Sequence, residues 1–287
     1  IWANVQRRLG VPDVDAGRCE ALVGLDGIGA VVLVDQQPIG RSRRSNPVTF
    51  VKAYDALRKL FAGSPDALAR GIGGSDFSFN VAGGRCPACE GTGVQEVDMQ
   101  FMAPVVVSCA ACDGHRFRPE VLAVRCRGSN IAETLALTVD QARARFADQK
   151  ALAKRLDALV RAGLGYLRLG QPTSTLSGGE AQRLKLASFL DPAAAEGRRL
   201  FLFDEPTTGL HVSDIEALCR TLRELVRRGD GVVVVEHSLD LVALADWIVE
   251  LGPGGGEHGG QLLYSGPIEG FLAVDSPTAE ELRRFLG

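Results

Sequence analysis

No apolar run in this sequence is long enough to cross a bilayer. Its longest, such as Ala30 to Val34 and Val232 to Val235, are strand-length, far short of the roughly 20 residues a spanning helix needs. No secretory segment opens the chain, which starts at Ile1 rather than a methionine; the expectation is a shortened N-terminus with further elements upstream. There is no excess of positive charge either. The net charge is −3, so nothing global advertises nucleic acid. Aromatic residues are sparse, at 6%. The seven cysteines are an odd number and fit a secreted disulfide framework poorly, which points to a reducing compartment and hence the cytoplasm. A Gly-x-x-x-x-Gly-Lys-Ser/Thr phosphate loop is also missing from all 287 residues.

What remains is the composition of an ordinary globular protein, 46% hydrophobic and 23% charged, long enough for one large domain or two modest ones. Charge is uneven along it. Arg41, Arg43, Arg44, Lys52, Arg58 and Lys59 fall in one stretch against the single acid Asp55. Such a stripe can grip phosphate while the whole chain stays acidic, or it can simply be a solvated face.

Three regions differ in texture. Residues 1–60 contain the run Ala30 to Val34, a buried strand that delivers Asp35-Gln36 at its C-terminal end. Residues 61–165 are rich in glycine and cysteine at first. Later, Ile131 to Phe146 and Lys150 to Ala162 place apolar residues at helical intervals. Residues 166–287 are α/β: the run Leu200 to Phe203, a helix from Ser213 to Arg228 capped by Ser213 and stopped at Gly229, then Val232 to Val235. Strand, helix and strand in so short a span make a βαβ unit with parallel strands and a right-handed crossover.

Parallel strands bring their C-terminal ends to one edge, where open α/β sheets bind ligands. The first of these strands ends at Asp204-Glu205 and the second at Glu236-His237. An acidic pair after an apolar strand suits nucleotide hydrolysis: Asp204 can hold Mg²⁺, and Glu205 can orient and deprotonate the attacking water. His237 can then contact the departing phosphate. Taken alone, such a pair also serves simply to cap a loop. Upstream, Leu176-Ser177-Gly178-Gly179-Glu180 precedes a helix over Ala181 to Leu190. Ser177 and Glu180 have the spacing of a capping box. The two glycines leave room for a phosphate to approach the exposed amides at the positive end of the helix dipole. A capping box alone marks only a helix start; followed about two dozen residues later by Phe203-Asp204-Glu205-Pro206, it becomes a specific signal.

Cys86-Pro-Ala-Cys89 and Cys109-Ala-Ala-Cys112 are separated by 19 residues. This spacing indicates a closed structural Zn²⁺ site of four thiolates, which leaves no open position for catalysis. A redox role suits one Cys-x-x-Cys pair better than two. Valines and Met99 between the pairs suggest a β-ribbon with the metal at its base. Cys86-x-x-Cys89-x-Gly91-x-Gly93 also resembles the zinc module of the DnaJ chaperones, although those carry four such repeats and no ATPase motifs.

The residues now in hand resemble the ATP-binding-cassette family. Leu176 to Glu180 is similar to its signature motif, Leu200 to Asp204 to its Walker B strand, and Glu205 to its catalytic carboxylate. Thr208-Gly209-Leu210-His211 matches the D-loop, His237 the switch histidine, and Asp35-Gln36 the Q-loop, whose glutamine helps to hold Mg²⁺. A zinc module between Q-loop and signature is narrower still and resembles the UvrA family. The stretches Gln36 to Pro47, Phe77 to Asn80, Gly83 to Cys86, Leu169 to Gln171, Glu205 to His211 and Asp246 to Pro253 carry that likeness over essentially the whole chain.

The resemblance implies an α/β ATP-binding-cassette fold with an inserted helical signature domain carrying the four-cysteine zinc module. It implies a core in two parts, residues 1–60 and 166–287, around an insertion at 61–165. The cofactors it implies are ATP, Mg²⁺ and Zn²⁺, with Gln36, Ser177, Gly178, Gly179, Glu180 and Asp204 binding nucleotide or its metal, and Glu205 and His237 catalytic. Implied partners are damaged double-stranded DNA, a second copy of the chain and a UvrB-type helicase, and no membrane. The basic stripe and Arg85, Arg116 and Arg118 are candidate phosphate contacts, and the ribbon Gln95 to Val107 is the candidate probe of the duplex, although it holds Glu96 and Asp98 and no base. The missing phosphate loop belongs just upstream of Ile1, so this stretch alone is expected to bind ATP poorly. Arg183 to Leu190 and the link Asp191 to Arg199 lean toward the second UvrA-like class. Two other functions fit parts of the pattern: a zinc-stabilised binding module without ATPase activity, and a transporter ATPase subunit, whose family lacks the zinc insertion.

Overall fold

The computed structural model describes the chain except residues 36–38, 40–41, 100–101, 191–196, 209, 211 and 255–258. The chain forms two compact units, one from Ile1–Gln36 with Glu196–Gly287, the other from Gln37–Ala195.

The first unit is built on a parallel sheet of three strands, β1 (Ile28–Val34), β4 (Arg198–Asp204) and β5 (Gly231–Val235), in the order β1-β4-β5. The central strand is flanked on both sides, and its side chains Phe201, Leu202 and Phe203 are all buried. This is why its sequence is a continuous apolar run rather than an alternating one. The register pairs Val34 with Phe203 and Asp204 with Val235, so the three strands end together. At the opposite edge the buried pair Arg199–Asp230, 3.0 Å apart, fastens the starts of β4 and β5. Asp230 Oδ1 also accepts from the Arg199 backbone N–H at 3.0 Å. The intervening helix, Val212–Arg227, ends where Gly229 adopts φ +88°, a left-handed turn that glycine takes without steric cost. A second, antiparallel pair, β6 (Trp247–Gly252) and β7 (Gln261–Pro267), packs with the helices Ile268–Phe271 and Pro277–Leu286 around Phe271, Ala279 and Leu282.

The second unit is helical, with a ribbon of β2 (Val94–Met99) and β3 (Met102–Ser108) paired antiparallel. Its core gathers Leu57, Phe61, Phe77, Phe79, Phe117, Ile131, Leu156 and Leu159, each fully buried. The Tyr54 ring lies tilted beside Phe79, centroids 4.8 Å apart, and its hydroxyl donates to the Phe77 carbonyl at 2.6 Å. Truncating one of these rings to alanine costs about 3–5 kcal/mol.

The chain divides at positions other than the 60/61 and 165/166 boundaries read from the sequence. The helix Tyr54–Ala62 inserts Leu57 and Phe61 into the aromatic core, and the helix Gly178–Phe189 inserts Ala181, Leu184 and Ala187 into the same core. Both segments therefore belong to the helical unit. The helix expected over Ile131 to Phe146 is two, Ile131–Ala136 and Val139–Arg145, because Thr138 caps the second through a reciprocal box with Gln141. The helix expected to start at Ser213 begins at Val212. Among the described residues, no helix is long and apolar enough to cross a membrane.

Candidate active edge and candidate metal centre

At the C-terminal edge of the parallel sheet, β4 delivers Asp204 and Glu205 and β5 delivers Glu236 and His237. The ladder continues one residue beyond β4, with the Glu205 N–H donating to the Val235 carbonyl at 2.9 Å. Glu205 itself has φ +44°. For a residue with a Cβ this left-handed backbone costs on the order of 1–3 kcal/mol and persists only where its surroundings impose it. The turn that follows is closed by Thr208, whose N–H donates to the Glu205 carbonyl at 3.1 Å and whose hydroxyl donates to Glu205 Oε2 at 3.3 Å.

Across the edge, His237 Nδ1 lies 4.0 Å from Glu205 Oε1 and 3.8 Å from Glu236 Oε2. The structure thus brings Glu205 and His237 together with Glu236, while Asp204 ends the strand beside them. Glu205 and His237 are well exposed to solvent, with side-chain exposures of 46% and 77%, whereas the Glu236 side chain is 4% exposed. Burial would raise the Glu236 carboxyl, but donors from Thr207, Ser238 and His237 outweigh it and hold the group below the ordinary carboxylate range.

The five residues of the signature stretch, Leu176 to Glu180, lie in the helical unit. Ser177 Oγ accepts from the Glu180 N–H at 3.2 Å, and Glu180 Oε2 accepts from the Ser177 N–H at 2.8 Å. This is the expected capping box. Gly178 is exposed and a Cβ there would meet nothing within 4 Å, whereas Gly179 is buried, so the first turn of this twelve-residue helix is open on the Gly178 side. The other oxygen of Glu180 is already engaged, accepting from the Tyr166 hydroxyl at 2.7 Å. Gln36 lies outside the described residues, as do Gly209 and His211 of the D-loop stretch.

The sulfurs of Cys86, Cys89, Cys109 and Cys112 all lie within 4.8 Å of one another, and all four residues are buried. Two hairpin-like knuckles present them. In the first, Glu90, Gly91 and Gly93 have φ of +50°, +84° and +79°; in the second, Asp113 and Gly114 have +48° and +74°. Gly91 is required on two grounds, since a Cβ would also meet the Phe79 carbonyl oxygen at 2.2 Å. The knuckles are hooked together by the Cys109 N–H donating to the Gly93 carbonyl at 3.0 Å, and β2 and β3 rise from them. Burial pushes the Cys112 thiol up to about 12. Burial acts on Cys89 in the same direction but is outweighed by the N–H groups of Gly93 and Gly91, which lower it. A set of four buried sulfurs at this spacing suits a divalent cation such as Zn²⁺.

Comparison with known proteins adds to this geometry. No family model matches the chain. It is 49% identical over 271 residues to UvrABC system protein A of Aquifex aeolicus and 45% identical over 284 residues to that of Thermus thermophilus, covering 94% and 99% of this chain. The crystal structure of UvrA2 from Deinococcus radiodurans superposes with a TM-score of 0.84 at 48% identity over 91% of the chain. The chain is a UvrA-family segment. It spans about 30% of the length of these curated relatives, 29% and 30%, and 32% of the UvrA2 chain. The matches thus include both UvrABC system protein A and a UvrA2.

Three features of this UvrA-family segment escaped the sequence reading. Glu236 is a buried anchor rather than a third member of an open acidic edge. Tyr166, which also accepts from Arg183 Nη2 at 3.3 Å, steadies the signature helix. Half of the basic stripe is engaged: Arg43 pairs with Glu96 on the ribbon at 2.7 Å, Arg44 with Glu90 of the first knuckle at 3.1 Å, and Arg58 with Asp55 at 2.5 Å; Lys52 and Lys59 are exposed, and Arg41 is outside the described residues. Arg116 turns inward, donating to the Gly170 carbonyl at 2.9 Å and lying 5.6 Å over the Phe79 ring. The partners of Arg43 and Arg44 lie far off in sequence, 46 residues for Arg44 and Glu90, so no local pattern reports them, whereas Arg58 and Asp55 are a local pair.

Proposed function

We propose that the chain is the second nucleotide-binding half of a UvrA-type DNA-damage-recognition ATPase, acting in nucleotide excision repair within the cytoplasm. The observation that carries this reading is one chain holding both the Asp204-Glu205/His237 edge and the buried four-cysteine cluster at 45–49% identity to UvrABC system protein A. Seven cysteines without a disulfide favour a reducing compartment.

In this reading Asp204 and Gln36 hold Mg²⁺, which neutralises phosphate charge when bound. Glu205 orients a water and accepts its proton, for which its exposed carboxylate at the strand end is suited. His237, within 4.0 Å of that carboxylate, contacts an oxygen of the γ-phosphate as that group departs. The exposed Gly178 offers its backbone N–H at the positive end of the signature helix, and the Ser177 and Gly179 positions shape that turn, completing the nucleotide site of a partner cassette in a dimer. Glu180 acts chiefly by holding that turn. Cys86, Cys89, Cys109 and Cys112 would hold Zn²⁺ at the base of the ribbon, and the ribbon reads backbone deformation of duplex DNA rather than base identity. A UvrB-type helicase is the partner loaded afterwards.

The test uses the full-length zinc-loaded protein that carries this chain. Tight binding of a damaged duplex, weakening as salt rises, together with DNA-sensitive ATP turnover, is the expected result. Absence of duplex binding even at low salt would overturn the DNA reading, and turnover insensitive to Glu205 would overturn the ATPase reading.

A further inference from the structure

Glu236 belongs to no catalytic role proposed above, yet its carboxylate is the most engaged group of the edge. Its Oε1 accepts from the Thr207 backbone N–H at 2.9 Å and from the Thr207 hydroxyl. Its Oε2 accepts from the backbone N–H groups of His237 at 2.7 Å and Ser238 at 3.0 Å. A carboxylate has about four acceptor positions, so these four donors fill it. With the side chain 4% exposed, no position remains for a water or a substrate proton.

The donors come from two different loops. Thr207 lies in the turn after β4 that carries Glu205, whereas His237 and Ser238 begin the loop after β5. The turn needs an anchor, because Glu205 is held in left-handed backbone that it would not adopt unaided. The Glu205 N–H bond to Val235 fixes one end of that turn; the Thr207 bonds to Glu236 fix the other.

Resting on the ATPase reading, we infer that Glu236 is the positioning residue of this edge: its buried carboxylate fastens the turn carrying Glu205 to the loop carrying His237, so that base and switch histidine keep one geometry and move together. Glutamine at 236 has one acceptor oxygen and one donor nitrogen. Whichever way its amide faces, it serves one loop and presents an N–H to the donors of the other, so the tie is cut while size and burial are kept.

The test compares Glu236→Gln with the parent in the full-length protein, reading kcat and KM for ATP per folded molecule and amide hydrogen exchange at 205–208 and 236–238. Glu236→Ala serves as a second variant in case the first folds poorly. The expected result is a fall in kcat of roughly tenfold or more from misplacement alone, little change in KM, and faster exchange confined to these two loops. An unchanged kcat per folded molecule, or exchange at both loops equal to the parent's, would overturn the inference. Glu205→Gln, measured alongside, separates the two levels. If it leaves turnover intact, the ATPase reading of this half fails, whereas the exchange data still report whether Glu236 ties the loops.

Discussion

Cys89 Sγ lies 3.7 Å from Cys112 Sγ, which is the edge of a tetrahedron whose centre is about 2.3 Å from each corner, the Zn–S bond length. Two thiols from knuckles 23 residues apart in sequence are thus already at ligand spacing. Cys109→Ser is expected to remove stoichiometric zinc, read by elemental analysis, and to speed amide exchange in β2 and β3 while leaving β1, β4 and β5 protected. Protons compete for the same sulfurs, so zinc affinity falls as pH falls. Full zinc retention by the serine variant would refute the four-thiolate site.

Gly91→Ala should destabilise the helical unit by more than about 1 kcal/mol, through its φ of +84° and the 2.2 Å approach of a Cβ to the Phe79 oxygen. Gly128→Ala is the matched control, with φ +80° and nothing within 4 Å. The shift in denaturation midpoint should be clearly larger at 91 than at 128; equal shifts would mean the clash relaxes freely.

Removing one partner of the Arg199–Asp230 pair breaks an ion pair and its hydrogen bonds where both side chains are under a tenth exposed. Asp230→Ala is therefore expected to lower stability by roughly 3–5 kcal/mol. Replacing both residues with apolar ones of similar size should cost much less. Equilibrium unfolding of the two variants checks the difference.

For the full-length enzyme, Glu205→Gln is expected to lower ATP turnover by roughly 10²–10⁴-fold, the usual contribution of a positioned general base. Nucleotide should still bind, read by retention of labelled ATP. The fold should survive, because the Glu205 ties to Val235 and Thr208 run largely through backbone atoms.

Acid should loosen the same edge in a defined direction. The folded Glu236 carboxyl titrates below its ordinary value of 4.5, so its anchoring is fully present above that value and is lost as pH falls through the folded one. The Thr207 and Ser238 amide resonances are expected to shift in that acid range in the parent and to stay flat in Glu236→Gln.

Local patterns carried much of this. The Cys-x-x-Cys pairs, the apolar strand ending in Asp204-Glu205 and the Ser177/Glu180 box are each read from a few neighbouring residues, and the fold class follows from their order. The Thr138/Gln141 box was equally local and marked a helix break that periodicity alone concealed. The division into units was not legible in this way, because it depends on Phe61 and Leu184 reaching one aromatic core from segments more than a hundred residues apart. Glu236 was half legible: the parallel strands predicted its edge, but only the β4–β5 register, Asp204 opposite Val235, aims its side chain at Thr207.

The ion pairs of Arg43 with Glu96 and Arg44 with Glu90 change what an arriving polyanion encounters. A phosphate backbone approaching this face would have to displace carboxylates already seated on the guanidinium groups. Association there is an exchange of one anion for another, releasing fewer counterions than the arginine count suggests and giving a shallower salt dependence. The same exchange would free Glu96 of the ribbon and Glu90 of the first knuckle from Arg43 and Arg44, so that contact and loosening of these ties become a single event.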